Sequence, residues 1–162
     1  MNNRMQVFKY KSPVGIIYCL FEGAALIELS IGEKPVYGDG LPENSPLLKG
    51  SFKNELDAYF KGDLKDFRQK IKFVSGTAFE QKVWLALRKI PFGETRSYKW
   101  IAERTGSPMA VRAVGQALKK NPLPIILPCH RVIASDGSIG GFSCGVDIKK
   151  LLLRYEGAPI GR

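Results

Sequence analysis

Ser97-Tyr98-Lys99-Trp100-Ile101-Ala102-Glu103-Arg104-Thr105-Gly106-Ser107-Pro108-Met109-Ala110-Val111-Arg112-Ala113-Val114-Gly115-Gln116-Ala117 reads as two short helices joined by a tight turn. Ser97 is placed to cap the first, Tyr98 to Thr105, and Gly106 to stop it. Ser107-Pro108 starts the second, with proline at the first helical position, where its missing N–H costs nothing. That helix is expected from Met109 to about Lys120. Helix, glycine-containing turn, second helix is the spacing of a helix-turn-helix. Ala110, Ala113, Gly115 and Ala117 make the second helix thin, so its backbone can approach a partner closely, even within a minor groove. The same small residues would equally let two helices pack inside the protein.

Upstream, Thr77-Ala78-Phe79-Glu80 has the pattern of a capping box, in which hydroxyl and carboxylate satisfy free amides at a helix start. Phe79, Val83, Trp84, Leu87 and Ile90 come next at helical spacing, and Pro91-Phe92-Gly93 ends the run. Downstream, Asn121 falls where a left-handed residue would close the helix, since asparagine tolerates that conformation. Pro122, Pro124 and Pro128 stiffen the approach to Cys129-His130-Arg131-Val132-Ile133, a bend leading into a strand. Ser135-Asp136-Gly137-Ser138 is a turn and Gly140-Gly141 a loop. Gly145 to Tyr155 forms a last helix, with Ile148, Leu151, Leu152 and Tyr155 facing in and Lys149, Lys150 and Arg154 out.

Residues 5–31 alternate as an antiparallel meander, with turns at Ser12-Pro13-Val14-Gly15 and Glu22-Gly23. Ile27, Leu29 and Ile31 share one face, Glu28 and Ser30 the other. Residues 32–46 are a loop rich in Gly, Pro, Asp and Asn. Leu47 to Lys61 is a helix carrying Leu48, Phe52, Leu56, Tyr59 and Phe60, stopped by Gly62-Asp63. Phe67 to Val74 is a strand or extended linker. The fold class is α+β. An N-terminal antiparallel-sheet lobe spans residues 1–75, and a mostly helical helix-turn-helix lobe with the cysteine motif spans 76–162.

The 162 residues are 44% hydrophobic and 25% charged, ordinary globular composition. The longest apolar stretch, near Ile125-Ile126-Leu127, is too short to cross a bilayer, and the polar N-terminus has no secretory pattern. A cytoplasmic, non-membrane protein is expected. The net charge is +10, unevenly spread: residues 1–70 carry 10 basic and 9 acidic groups, residues 71–162 carry 15 and 6. The second half is suited to a polyanion, most simply nucleic acid, although a basic surface also aids solubility.

Three cysteines (Cys19, Cys129, Cys144) and one histidine, His130, form neither a disulfide framework nor a metal-ligand spacing. A cysteine reacts as its thiolate and needs a base or a positive field to become one. Cys129 has His130 and Arg131 beside it. Adjacency alone proves no contact, and a structural cysteine is the commoner fate after an apolar run.

Asn121-Pro122-Leu123-Pro124-Ile125 followed by Pro128-Cys129-His130-Arg131-Val132-Ile133 resembles the O6-alkylguanine-DNA alkyltransferases, or methylated-DNA–protein-cysteine methyltransferases. The likeness runs in order through Thr77-Ala78-Phe79, Val83-Trp84, Ile90-Pro91-Phe92-Gly93-Glu94-Thr95, Ser97-Tyr98, Ala113-Val114-Gly115, Leu152-Leu153 and Glu156-Gly157. It covers about residues 77–157, and the N-terminal lobe resembles the family mainly at Ser12-Pro13-Val14-Gly15. The resemblance implies a DNA repair protein that moves an alkyl group from guanine O6 to its own cysteine, irreversibly and once per molecule. Cys129 would be the nucleophile, His130 the base acting through a water, and Glu156 the group that orients it. Tyr98 and Ser143 would donate to the leaving guanine. The carbonyls of Cys129 and Val132 would accept from its exocyclic amine, and Asn121 would help bind substrate. The partner implied is double-stranded DNA containing O6-alkylguanine. It would be gripped through the minor groove by Arg112, Ala110, Ala113 and Tyr98, with Arg112 filling the gap left by an extruded base. A monomer without cofactor or metal is expected.

The chain departs from the family at Phe142, where tyrosine is common, and at Cys144, where glycine is common. It lacks the cysteine–histidine set with which some members hold zinc. Two other readings are a lesion-binding sensor without transfer chemistry and a helix-turn-helix transcription regulator. Sensors of that kind typically lack the nucleophile, and a regulator has no use for Pro-Cys-His-Arg. A cysteine hydrolase would need an oxyanion-hole motif and a distant histidine, which the sequence does not supply.

Overall fold

Pro13 and Val14 turn the chain so tightly that Ser12 pairs directly with Gly15. Strand β1 (Met5–Ser12) thereby lies antiparallel to β2 (Gly15–Glu22), and a second tight turn lays β3 (Ala25–Ile31) on the other side of β2. The computed structural model describes residues 4–33 and 45–160, so residues 34–44 of the loop expected over 32–46 lie outside the described residues. The chain divides into two compact units, Met1–Val74 and Ser75–Arg162.

In the first unit Val7, Leu20 and Ile27 pack together with Tyr18 against them. Ile27, Leu29 and Ile31 are buried as their alternation requires. A three-stranded sheet leaves two edges with unpaired amides, and both are covered. Lys9 of β1 exchanges backbone bonds with Pro46 and Leu48, and Leu26 of β3 with Lys70 and Lys72. The first of these bridges explains why helix α1 is Ser51–Phe60 rather than starting at Leu47. Residues 46–48 spend their backbone groups on the sheet edge, and the helix begins only after Gly50. Phe52, Leu56 and Tyr59 form its buried stripe. Residues 67–74 are extended, with one bridge at Ile71.

The second unit holds α2 (Ala78–Leu87), β4 (Arg96–Ser97), α3 (Tyr98–Arg104), α4 (Val111–Lys119), a single 3-10 turn (Cys129–Arg131), β5 (Val132–Ile133) and α5 (Val146–Tyr155). Thr77 Oγ1 accepts from the Glu80 N–H, but the Glu80 carboxylate takes the Thr77 hydroxyl rather than a main-chain amide, so the capping box is half made. Ser97 caps α3 by accepting from the Trp100 N–H. Trp84, fully buried, donates its indole N–H to the Ala117 carbonyl at 2.7 Å, tying α2 to α4.

The helix-turn-helix is present with a longer connection than expected. Ser107 and Ala110 close a turn through the Ala110 N–H and the Ser107 carbonyl, so Pro108 sits inside that turn. Helix α4 therefore starts at Val111, and Ala110 caps it instead of belonging to it. Helix α5 is rotated from the expected face. Lys149, Leu152, Leu153 and Glu156 are buried, while Tyr155 is exposed. The helical pattern alone puts Lys149 in solvent. It is fully buried instead, because three carbonyls there accept its protons.

Candidate active site

Asn121 ends α4 and organises the segment after it. Its Oδ1 accepts from the Leu123 N–H and its Nδ2 donates to the Leu127 carbonyl, clamping residues 121–127. With both ends of the amide so engaged, Asn121 keeps negative φ, and the left-handed residue is Ile125 instead (φ 75°). A β-branched residue there is strained. Burial of Leu123, Ile125, Ile126 and Leu127 holds it. Pro128 then leads into the 3-10 turn that contains Cys129, His130 and Arg131. Beyond the turn, Val132 and Ile133 pair in parallel with Arg96 and Ser97, which brings Tyr98 to the same place as Cys129.

A cavity of about 610 Å³ opens there, lined by Tyr98, Cys129, Phe142, Ser143 and Val146 and by Gly115, Gln116 and Lys119 of α4. That volume suits a small organic ligand. The Tyr98 hydroxyl lies so close to Gly140 (φ 71°) that a Cβ there would stand 2.8 Å from it. Only glycine suits that position. Burial pushes the Tyr98 phenol up, so it stays a donor at neutral pH.

Burial also pushes the Cys129 thiol up, to about 12, with the Asn121 amide and the Lys149 ammonium pulling the other way. The resting group is the thiol, and its proton needs an acceptor. His130 supplies one. It is completely buried, with Nε2 2.7 Å from Glu156 Oε1. An ionised carboxylate can only accept, so Nε2 carries the hydrogen and Nδ1 the lone pair. Nδ1 is buried with no hydrogen-bond partner among the described residues. Burial lowers the His130 pKa despite the neighbouring carboxylate, keeping the ring neutral. Burial raises the Glu156 carboxyl, but His130 and Arg131 outweigh it and hold it at about 2. Arg131 makes a two-pronged pair with Glu156, Nε to Oε2 at 2.8 Å and Nη2 to Oε1 at 2.9 Å.

Lys149 donates from Nζ to the carbonyls of Val132 (2.6 Å), Ile139 (2.6 Å) and Gly141 (3.0 Å), fastening the cavity loop to β5. Burial brings its pKa down to about 8. The sequence pattern does not single this residue out, yet a signal exists. The resemblance places Glu156 at the site, and Lys149 lies seven positions before it on the same helical face.

The structure thus brings Cys129, His130, Glu156, Tyr98 and Ser143 together. Val132 and Asn121, expected to bind substrate, are buried in the segments that flank and carry Cys129. Val132 is fully buried with its carbonyl on Lys149, and the Asn121 amide serves the protein's own backbone. Arg112 and Ala113 are exposed on α4, and Ala110 is half-buried at its cap. Met109, just before the cap, is 95% exposed. Cys144 is half-buried and bears electrostatically on Cys129. Among the described residues no cluster of three or more His, Cys, Asp or Glu side chains is placed to hold a metal, and no helix is long and apolar enough to cross a membrane.

The sequence profile described as "6-O-methylguanine DNA methyltransferase, DNA binding domain" matches residues 78–158, and "6-O-methylguanine DNA methyltransferase, ribonuclease-like domain" matches residues 7–73. The methylated-DNA--protein-cysteine methyltransferase of Methanosarcina acetivorans is 42% identical over 152 residues, spanning 92% of this chain and 96% of the relative. That of Mycobacterium leprae is 43% identical over 148 residues, 90% of this chain and 88% of the relative. Among solved structures, Mycobacterium tuberculosis O6-methylguanine methyltransferase superposes with a TM-score of 0.80 at 38% identity, covering 96% of both chains. The Mycobacterium tuberculosis protein in complex with DNA gives 0.82 at 38% identity, covering 95% of both. On this breadth of agreement, in both halves of the sequence and in the fold, the chain belongs to the 6-O-methylguanine DNA methyltransferase family.

Proposed function

We propose that this protein repairs duplex DNA by moving the alkyl group of O6-alkylguanine onto Cys129 Sγ, once per molecule. The observation that carries the reading is His130, held by Glu156 at one nitrogen and open at the other, next in sequence to the thiol in the cavity wall. As Sγ attacks the alkyl carbon, the S–C bond forms and the C–O6 bond breaks. The thiol proton passes through a water to His130 Nδ1, and the departing guanine takes a proton back. Tyr98 and Ser143 donate to the purine as charge develops on it. The Cys129 and Val132 carbonyls each accept one bond from the protein, from the Val132 N–H and from Lys149, and each keeps one lone pair for an exocyclic amine. The thioether product has no easy hydrolytic exit, so the protein is consumed.

The reacting carbon lies inside a base stack, so the nucleotide must turn out of it. One face of α4 supports this. Gly115, Gln116 and Lys119 line the cavity, while Arg112 and Ala113 continue the same helix in solvent. A slim helix in the minor groove, with Arg112 in the vacated space, would place the extruded base over Cys129. Phosphate contacts from the basic second half make binding salt-sensitive and weak in sequence preference. All chemical groups come from one chain, which suits a monomer. The cytoplasm, reducing and DNA-containing in a bacterium or archaeon, suits three free thiols.

The test is intact mass. Incubated with duplex DNA carrying O6-methylguanine, the protein gains one methyl group stoichiometrically, and Cys129→Ala gains none. Lesion binding without a mass gain would mark a sensor, and indifference to the lesion a transcription regulator.

A further inference from the structure

Arg131 comes directly after His130 in the 3-10 turn and is only 5% exposed. A buried guanidinium is costly unless matched, and this one is matched group by group. Nε and Nη2 hold the two oxygens of Glu156, Nη1 donates to the Ile90 carbonyl at 2.7 Å, and the Phe92 ring lies 5.7 Å from the guanidinium carbon. The oxygen bound by Nη2 is Oε1, the same atom that faces His130 Nε2. One carboxylate oxygen therefore serves a permanent cation and an imidazole together. A buried carboxylate without that cation would draw a proton onto the imidazole and keep it there.

We propose that Arg131 is a positioning residue for alkyl transfer: it fixes Glu156 on His130 Nε2 and balances the carboxylate's charge, so that His130 rests neutral with Nδ1 open to a proton. This rests on the alkyl-transfer reading and adds the group that sets the base's resting state. The charges bearing on His130 are Glu156 at the end of α5, Arg131 in its own turn and Lys149 on α5. Cys129 precedes it in the chain. Burial and the two cations disfavour the imidazolium, and Glu156 favours it. Removing the Arg131 charge raises proton affinity at His130 and at its neighbours alike.

The experiment is single-turnover methyl transfer from an O6-methylguanine duplex, read by intact mass between about pH 5 and 9, for wild type, Arg131→Lys and Arg131→Gln. Arg131→Gln moves the acidic limb of the rate profile up by about one unit or more, and Arg131→Lys leaves it near wild type. A purely structural arginine would lower the folded fraction at every pH and leave the limb in place, and that result overturns the inference. A wild-type protein that gains no methyl group sinks the alkyl-transfer reading instead. His130 is the only histidine in the chain, so its ¹⁵N signals report its state without any reaction. They show the neutral Nε2–H tautomer in wild type at neutral pH. An imidazolium there overturns the inference, even if Arg131→Gln does not fold.

Discussion

Cys19 and Cys129 are both buried thiols, and burial pushes both to about 12. Cys19 sits in the middle strand of the N-terminal sheet, paired between Phe8 and Leu29, and burial alone shapes it. Cys129 sits in a cavity wall with the Asn121 amide and the Lys149 ammonium pulling against burial, and with a histidine whose free nitrogen is also buried. Burial by itself makes a thiol inert. Reactivity requires somewhere for its proton to go, a nearby cation to favour the thiolate, and an opening wide enough for an electrophile. Only one of the two sites has all three.

The sharpest way to break that contrast is to remove each sulfur in turn. Cys129→Ala should lose methyl uptake completely. Cys19→Ala should take up a full equivalent while losing about 1 kcal/mol of stability from the small cavity it leaves. Intact mass and a urea titration read both, and any dependence of uptake on Cys19 would end the contrast.

Lys149 gives the next largest effect. Lys149→Met keeps the length of the side chain but abandons the carbonyls of Val132, Ile139 and Gly141. It should cost about 3 kcal/mol, since each acceptor left unsatisfied costs about 1–3 kcal/mol where it is buried. It should also slow transfer by about tenfold, because the ammonium that favours the thiolate is gone. Wild-type stability and rate in this variant would show that the buried ammonium neither fastens the loop nor aids the thiol.

Acid should undo the Glu156 network. The carboxyl sits at about 2 in the fold, below its ordinary 4.5. The unfolded chain therefore binds the proton first, and stability is complete above about 4.5 and lost as pH falls toward 2. The loss is on the order of 3 kcal/mol, measurable as urea midpoints at descending pH. Glu156→Gln, weaker at neutral pH, should lose less across the same window, and an equal loss would place the acid sensitivity elsewhere.

The smallest effect is expected outside the cavity. Arg112→Ala should slow repair of duplex DNA by about tenfold, the scale of one lost groove contact of roughly 1–2 kcal/mol. Reaction with a free O6-substituted guanine should stay within about twofold, because the variant leaves the chemical groups untouched. Equal losses on both substrates would remove Arg112 from the groove.

Features that depend on neighbours in the chain are legible in the sequence. The Ser97 hydroxyl reaches only as far as the Trp100 amide to cap α3, and Ser12 to Gly15 is a hairpin whatever surrounds it. The start of α1 differs from the periodic pattern because Leu48 bonds to Lys9, far back along the chain, and no local pattern announces such a bridge. The start of α4 differs because Pro108 fits a helix start and a tight turn equally well. Asn121 has the residue type of a left-handed stop, but its side chain finds partners in Leu123 and Leu127 that relieve the backbone, and Ile125 takes the strained conformation. At the site, the residue types at positions 129 to 131 invite a chemical reading and only the resemblance raises Glu156, while the helical pattern puts Lys149 among the solvent-facing cations.

By itself the sequence determined the kind of chemistry through its likeness to the alkyltransferases, carried by Pro128-Cys129-His130-Arg131-Val132-Ile133 and the motifs along residues 77–157. Only the tertiary structure decided the charge state of the parts. Desolvation and partnership depend on what lies within a few ångströms, and for Glu156 that means His130 and Arg131, 26 and 25 positions back along the chain. That surrounding buries Arg131 together with Lys149, which the helical pattern puts in solvent, and leaves a single imidazole nitrogen open.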